Sequence, residues 1–234
     1  MKNRNKVIFV LVEGPSDRTA LAKILENMYR DAAVHIWVEY GDITTRLNPL
    51  SSSTTILNQL GSRLSEFVKR ARIRFSDVVK YIHIVDMDGA YIEETDILFE
   101  QNATKTIYTD ENIITNKVDS IIQRNRQKKG CLNKLIKTKF IRKIPYEIYF
   151  MSSNLDHVLY NLTNLNPIEK TKLAMHFSNR YSNHPDEFIK FINQPEIKVS
   201  DKYEESWNFI REGRHSLERH SNINICFTAG NSEK

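Results

Sequence analysis

The amino-acid sequence predicts an α/β fold: a mainly parallel, Rossmann-like sheet flanked by helices, with a helical C-terminal extension. Three observations carry this. The apolar run at residues 7–12 has the length and continuity of a strand buried on both faces, and residues 78–85 read as another strand with Lys80 and His83 as its only polar members. Segments of helical period alternate with the strands over the first 155 residues. Beyond Asp156 the character changes, and Pro167, Pro185 and Pro195 punctuate segments that read as short helices.

The elements follow in order. Residues 7–12 form the first strand, and Gly14 and Pro15 break it. Ser16 is placed to cap a helix with Asp17 in its first turn, and Leu21, Ile24, Leu25 and Met28 supply its buried stripe. Residues 34–40 read as a second strand and the Ser/Thr-rich residues 48–55 as a loop. Ile56, Leu57, Leu60, Leu64, Phe67 and Val68 mark a second helix. Residues 78–85 form the next strand, ending at Asp86-Met87-Asp88-Gly89. Residues 90–109 have no clear period. A third helix is expected from about Asp110, with Ile114, Val118 and Ile122 at steps of four, and a short strand over 148–151. The expected organisation is a catalytic domain over residues 1–160 and a helical extension over 161–234.

Composition narrows the function. The 234 residues carry a formal charge of +5, which suits an anionic partner. The two cysteines, Cys131 and Cys226, argue against a disulfide framework or a cysteine zinc site. No apolar run reaches the roughly 20 residues that span a bilayer. The basic start at residues 1–6 leads straight to Glu13 and Asp17 with no small-residue cleavage site, so a cytoplasmic protein without membrane association is expected.

The chemistry is carried by carboxylates. Glu13 is the first polar residue after the first strand, and Asp86 and Asp88 follow the third. In a parallel sheet these strand ends share one edge, and residues two apart on an extended chain face the same side. Three carboxylates held close repel one another, and a divalent cation relieves this. Oxygen-only ligation suits Mg2+, with Mn2+ as the alternative.

Val-Glu-Gly-Pro-Ser-Asp-Arg-Thr-Ala-Leu at residues 12–21, with His-Ile-Val-Asp-Met-Asp-Gly at residues 83–89, resembles the Toprim domain of topoisomerases, primases, OLD-type nucleases and small ribonucleases. The Glu-Gly-x-Ser-Asp form resembles the OLD-type branch most. The resemblance implies that Glu13 is a general acid/base or a metal ligand. It implies that Asp86 and Asp88 are the metal-binding pair, and that Asp17 helps hold a second metal. Asp17 equally suits a helix first turn. One departure stands out: many Toprim sequences place a glycine three residues after the second aspartate, whereas Gly89 follows Asp88 directly.

Between Ser120 and Tyr146 no residue is acidic and nine are basic. Arg126, Lys128, Lys129, Lys134, Lys137, Lys139, Arg142 and Lys143, together with Arg124, are therefore expected to contact a phosphate backbone. Phe140 and Tyr146 lie within the run and suit either the core or base stacking. Asp156 reads as a helix cap or an additional ligand. His157, His215 and His220 are proton-transfer candidates that no spacing places.

The expected function is an Mg2+-dependent endonuclease acting on RNA or DNA. The resemblance extends to standalone Toprim nucleases: toxic effectors of anti-phage defence that work beside an ABC-type ATPase, and the ribonuclease that matures 5S RNA. A homodimer is a further expectation. Two rivals stand beside it. One is a non-catalytic Toprim binding module. The other is a haloacid-dehalogenase-like phosphatase, which Asp-Met-Asp-Gly resembles although Ala90 replaces the usual threonine. The nuclease reading carries one energetic expectation: Asp86→Asn or Asp88→Asn should leave the metal-free fold intact or firmer, because like-charge repulsion falls.

Overall fold

A computed structural model describes residues 6–29, 34–45 and 53–228. The chain alternates strand and helix: β1 (Lys6–Val12), α1 (Pro15–Met28), β2 (Val34–Tyr40), α2 (Ser53–Arg70) and β3 (Val78–Asp86). Three short strands follow, β4 (Ile97–Phe99), β5 (Ile107–Tyr108) and β6 (Ile113–Thr115). Then come α3 (Val118–Leu135), β7 (Phe140–Ile141) and β8 (Ile144–Met151). The remainder is helical: α4 (Leu155–Tyr160), α5 (Pro167–Tyr181), α6 (Pro185–Ile192), α7 (Tyr203–Phe209) and α8 (Ile223–Thr228). The main sheet has five strands in the order β2-β1-β3-β8-β7 and is mainly parallel. It is a Rossmann-like α/β arrangement. Among the described residues, no helix is long and apolar enough to cross a membrane.

The contacts divide the chain into two compact units, each drawn from three separate segments. The first comprises Met1–Ile84, Gly130–Ile148 and Ala174–Pro185. Its centre is β1, paired in parallel with β2 through Phe9↔Trp37 and with β3 through Phe9↔Tyr81. Residues 8–12 are fully buried because both faces of the sheet are covered. Phe9 stacks on Phe67 of α2 at 4.7 Å and meets Tyr81 edge-on at 4.8 Å, so aromatic packing ties helix to sheet. His83, buried within β3, reaches the Tyr146 hydroxyl at 2.9 Å. Tyr146 is therefore a core residue.

The second unit comprises Val85–Lys129, Tyr149–Leu173 and Asp186–Lys234. Its small sheet has the order β4-β6-β5, with β6 parallel to β4 and antiparallel to β5. Ile92, Ile97, Ile113, Ile121 and Leu217 form one apolar cluster beneath it. Phe150 of β8 packs edge-on against Trp207 of α7 at 5.0 Å, and its N–H donates to the Asn222 side chain at 2.8 Å.

Four expectations need correction. The third helix begins at Val118, not near Asp110: Ile113, Ile114 and Thr115 are β-branched and pair as β6, so the step of four from Ile114 is accidental. The fourth long strand begins at Ile144 and carries a hairpin partner, β7. Ser16 is not the cap of α1. Gly14 holds that position, Pro15 opens the helix, and the Asp17 carboxylate accepts the Gly14 N–H at 2.7 Å. In the stretch read as a loop, α2 has begun by Ser53, and residues 46–52 lie outside the described residues.

Candidate functional site

The site is built where β3 and β8 end. Beyond Asp86 the chain turns through Asp88 and Gly89, both at positive φ, 48° and 67°. Beyond Met151 it turns through Ser153 at φ 53°. Positive φ is costly for a residue with a side chain and persists only where surroundings enforce it. Here the two turns enforce each other. Met87 N–H donates to Met151 O at 2.9 Å and Asp88 N–H to Ser153 O at 2.6 Å. Ser216 O accepts from both Gly89 and Ser153, at 3.1 and 2.9 Å. A side chain at Gly89 would be strained by its positive φ and crowded: a Cβ there would stand 2.8 Å from Leu217 Cδ2 and 3.0 Å from Ile113 Cδ1.

Three side chains on one stretch of α3 hold the Asp88 turn. Lys128 Nζ lies 2.5 Å from Asp88 Oδ2, with the lysine fully buried and the aspartate one-fifth exposed. Arg124 donates to Asp88 O at 2.7 Å and also bonds the Tyr108 hydroxyl. Asn125 donates to Gly89 O at 3.0 Å. Burial alone would raise the Asp88 carboxyl, but Lys128, Arg124 and then Lys170 outweigh it and hold the group below its ordinary value. The Tyr108 phenol is pushed up by burial and by the Asp88 charge.

Asp86 Oδ1 accepts the N–H of Leu155, the first residue of α4. Asn154 is the cap of that helix, accepting the His157 N–H at 3.0 Å. The cap reading of Asp156 is thereby corrected: it sits in the first turn, almost wholly buried, with Oδ2 2.6 Å from Lys170 Nζ. Its Oδ1 and the Ser153 Oγ are buried without a hydrogen-bond partner. A buried oxygen left so costs about 1–3 kcal/mol, which a bound water or cation would offset.

Glu13 and Asp17 belong to the first unit. Glu13 follows β1, and its Oε1 accepts the Thr44 hydroxyl at 3.0 Å. Asp17 is the third residue of α1, and its carboxylate accepts the N–H of the cap residue Gly14. Among the described residues, no three or more His, Cys, Asp or Glu side chains form a group able to hold a metal ion. Mg2+ does not require such a cage, since it commonly takes one or two carboxylates and completes its shell with water and phosphate oxygen. The donors fit it in kind. Asp86 and Asp88 offer carboxylate oxygens, and two unpartnered buried oxygens lie in the adjoining turn.

The basic run divides by environment. Lys128 is buried and bound to Asp88, so it is not a surface contact as expected. Arg126 pairs with Glu94 at 2.6 Å, and Lys129 lies 5.5 Å from the centre of the Tyr91 ring. Arg142 donates to Gly61 O at 3.0 Å. Lys134, Lys137, Lys139 and Lys143 are exposed and enter no ion pair among the described residues. His157 is buried and His220 partly buried, and burial pushes both imidazoles below their usual range.

Sequence reasoning named Arg124 and Lys128 as phosphate contacts but not as the cations that hold the Asp88 turn, and it did not single out Lys170. Arg124 and Lys128 stand four residues apart on one helix face, a spacing that was visible. Lys170 comes from a helix for which the sequence offered no such clue. No family model, curated protein or solved structure matches this chain.

Proposed function

We propose that the protein is a metal-dependent nuclease of Toprim type that hydrolyses phosphodiester bonds in RNA or DNA. The observation that supports this most is the Asp86-Met87-Asp88-Gly89 turn, a strained acidic turn at a strand's carboxyl end ringed by Lys128, Arg124 and Lys170. In α/β sheets that edge is where ligands bind. Acids and fixed cations side by side suit a substrate that is both anionic and metal-bound.

Asp86 and Asp88 would hold the ion. Bound there, Mg2+ would supply orientation of the phosphate and stabilisation of its developing charge. Lys170 is about one-third exposed and can meet a phosphate oxygen, whereas the buried Lys128 positions Asp88. Ser153 and Asp156 present further oxygens. Glu13 enters through the Toprim resemblance as the acid/base, and Asp17 through the same resemblance as a holder of a second metal, beside its bond to the Gly14 N–H.

The test compares wild type with Asp86→Asn, Asp88→Asn and Glu13→Gln in Mg2+ calorimetry and in cleavage of RNA and DNA. The aspartate variants should lose both metal binding and cleavage. Glu13→Gln should lose cleavage while keeping the metal, which also separates the nuclease from a dehalogenase-like phosphatase that has no use for Glu13. Full cleavage by the Asp86→Asn, Asp88→Asn double variant would end this reading. Metal-independent nucleic-acid binding with no cleavage would favour the binding-module reading.

A further inference from the structure

The hairpin formed by β7 and β8 combines features that packing alone does not explain. Its turn is Arg142-Lys143, at φ 47° and 68°. Positive φ at both positions is the type I′ two-residue turn, which favours Asn-Gly there. Two long basic side chains on such a turn are strained, and strained residues cluster where ligands are clamped. Phe140 on β7, the outermost strand of the sheet, is 61% exposed. Its neighbour Ile141 is buried, as is Ile144 across the turn. The hairpin is nonetheless firmly held: Tyr146 N–H donates to Lys139 O at 2.9 Å, and Arg142 Nε donates to Gly61 O. Gly61 makes that contact possible, since a Cβ there would stand 3.1 Å from Arg142 Nε. Within three residues of the phenylalanine in sequence, Lys137, Lys139 and Lys143 are exposed and unpaired among the described residues.

We infer that this hairpin is a docking element for an unpaired stretch of polynucleotide, with the Phe140 ring stacking on one base and Lys137, Lys139 and Lys143 contacting the flanking phosphates. The inference rests on the nucleic-acid substrate proposed above and deepens it to a single-stranded one. A protruding ring needs an open base face, and a duplex keeps its base faces stacked inside, whereas single strands offer them. Rigid presentation on a pinned hairpin lowers the ordering cost of the contact. Lysines alone would serve merely to guard an edge strand, but a guard strand has no need of an exposed phenylalanine beside them.

The experiment uses the full chain without divalent ions, and fluorescence anisotropy with RNA and DNA single strands of about 12 nucleotides, within the span of one single-strand site, and with a duplex of the same sequence. Phe140→Ala should weaken single-strand binding about tenfold and leave duplex binding unchanged. Phe140→Trp should retain affinity, and its emission should be quenched by the single strand beyond any change in the wild-type tryptophans. Lys137→Gln and Lys139→Gln should each reduce the slope of log affinity on log salt by about 0.7. Unchanged single-strand affinity in Phe140→Ala, an equal loss on duplex, or no binding of any strand overturns the inference. Thermal melts establish that the variants are folded. Because binding is read without metal, cleavage by the Asp86→Asn, Asp88→Asn variant would remove the nuclease reading and leave this result standing.

Discussion

Asp88 and Lys128 form an ion pair whose lysine is wholly buried. Neutralising Asp88 was expected to relieve repulsion, but the nearest charge is a fully buried ammonium at 2.5 Å. Removing one partner of a buried pair leaves the other uncompensated, at a cost of about 3–5 kcal/mol. Asp88 is one-fifth exposed, so the lower end applies: Asp88→Asn should lose about 3 kcal/mol in urea unfolding. Adding Lys128→Met should recover most of it, since replacing both members of such a pair is often neutral. Strictly additive losses would show that the pair is not coupled. The pH dependence has a defined sign. Asp88 titrates below its ordinary value of 3.8 in the folded protein, so its contribution is full above 3.8 and is lost as pH falls through the lowered value. His157 and His220 also have lowered values, so their loss begins earlier, as pH falls below 6.5. Stability in urea should therefore begin to fall below about pH 6.5 and fall further in the acid range below 3.8, and Asp88→Asn should make the acid part shallower.

At the scale of elements, the first half of the fold was legible because long apolar strands and an unbroken helical stripe leave little choice. Residues 7–12, 34–40, 56–68 and 78–85 fold as their periods require. The small sheet was not legible, since strands of two or three residues carry too little alternation to register. The acidic turn could be placed at a strand end, but its cations could not, because Lys128 reaches Asp88 from 40 residues away. The burial of Lys128 runs against the ordinary expectation for a lysine in a basic run. Turn geometry gives two tests. Gly89→Ala meets both a positive φ and two side chains within 3.0 Å, and should cost roughly 2–4 kcal/mol in thermal or urea unfolding. Lys143→Gly relaxes a positive φ of 68° and should stabilise the protein by about 1 kcal/mol while weakening single-strand binding. A gain in stability without a loss of binding would assign Lys143 to the turn alone.

The whole molecule raises the question of what its last third does. Composition suggests a boundary near residue 160, but neither compact unit ends there: 174–185 belong to the first and 186–234 to the second. Within the second unit, the C-terminal segment supplies the floor of the candidate site. Ser216 O binds the N–H groups of Gly89 and Ser153, and His220 O binds that of Ser152. Leu217 completes the apolar cluster with Ile92, Ile97, Ile113 and Ile121. Trp207, 1% exposed, covers Phe150 of β8. Exposing one such aromatic side chain forfeits about 1.5–3 kcal/mol, and losing Leu217 as well approaches the 5–15 kcal/mol that an entire domain of this kind holds in reserve. The fragment 1–160 should therefore fail to fold cooperatively: it should give a broad, shallow urea transition and poorly dispersed amide resonances. It should also lose the Mg2+ binding proposed above, because the Asp88 and Ser153 turns would no longer share the Ser216 carbonyl. A sharp two-state transition with dispersed resonances from that fragment would show instead that residues 161–234 are an appendage, and that the strained turns hold their shape through β3 and β8 alone.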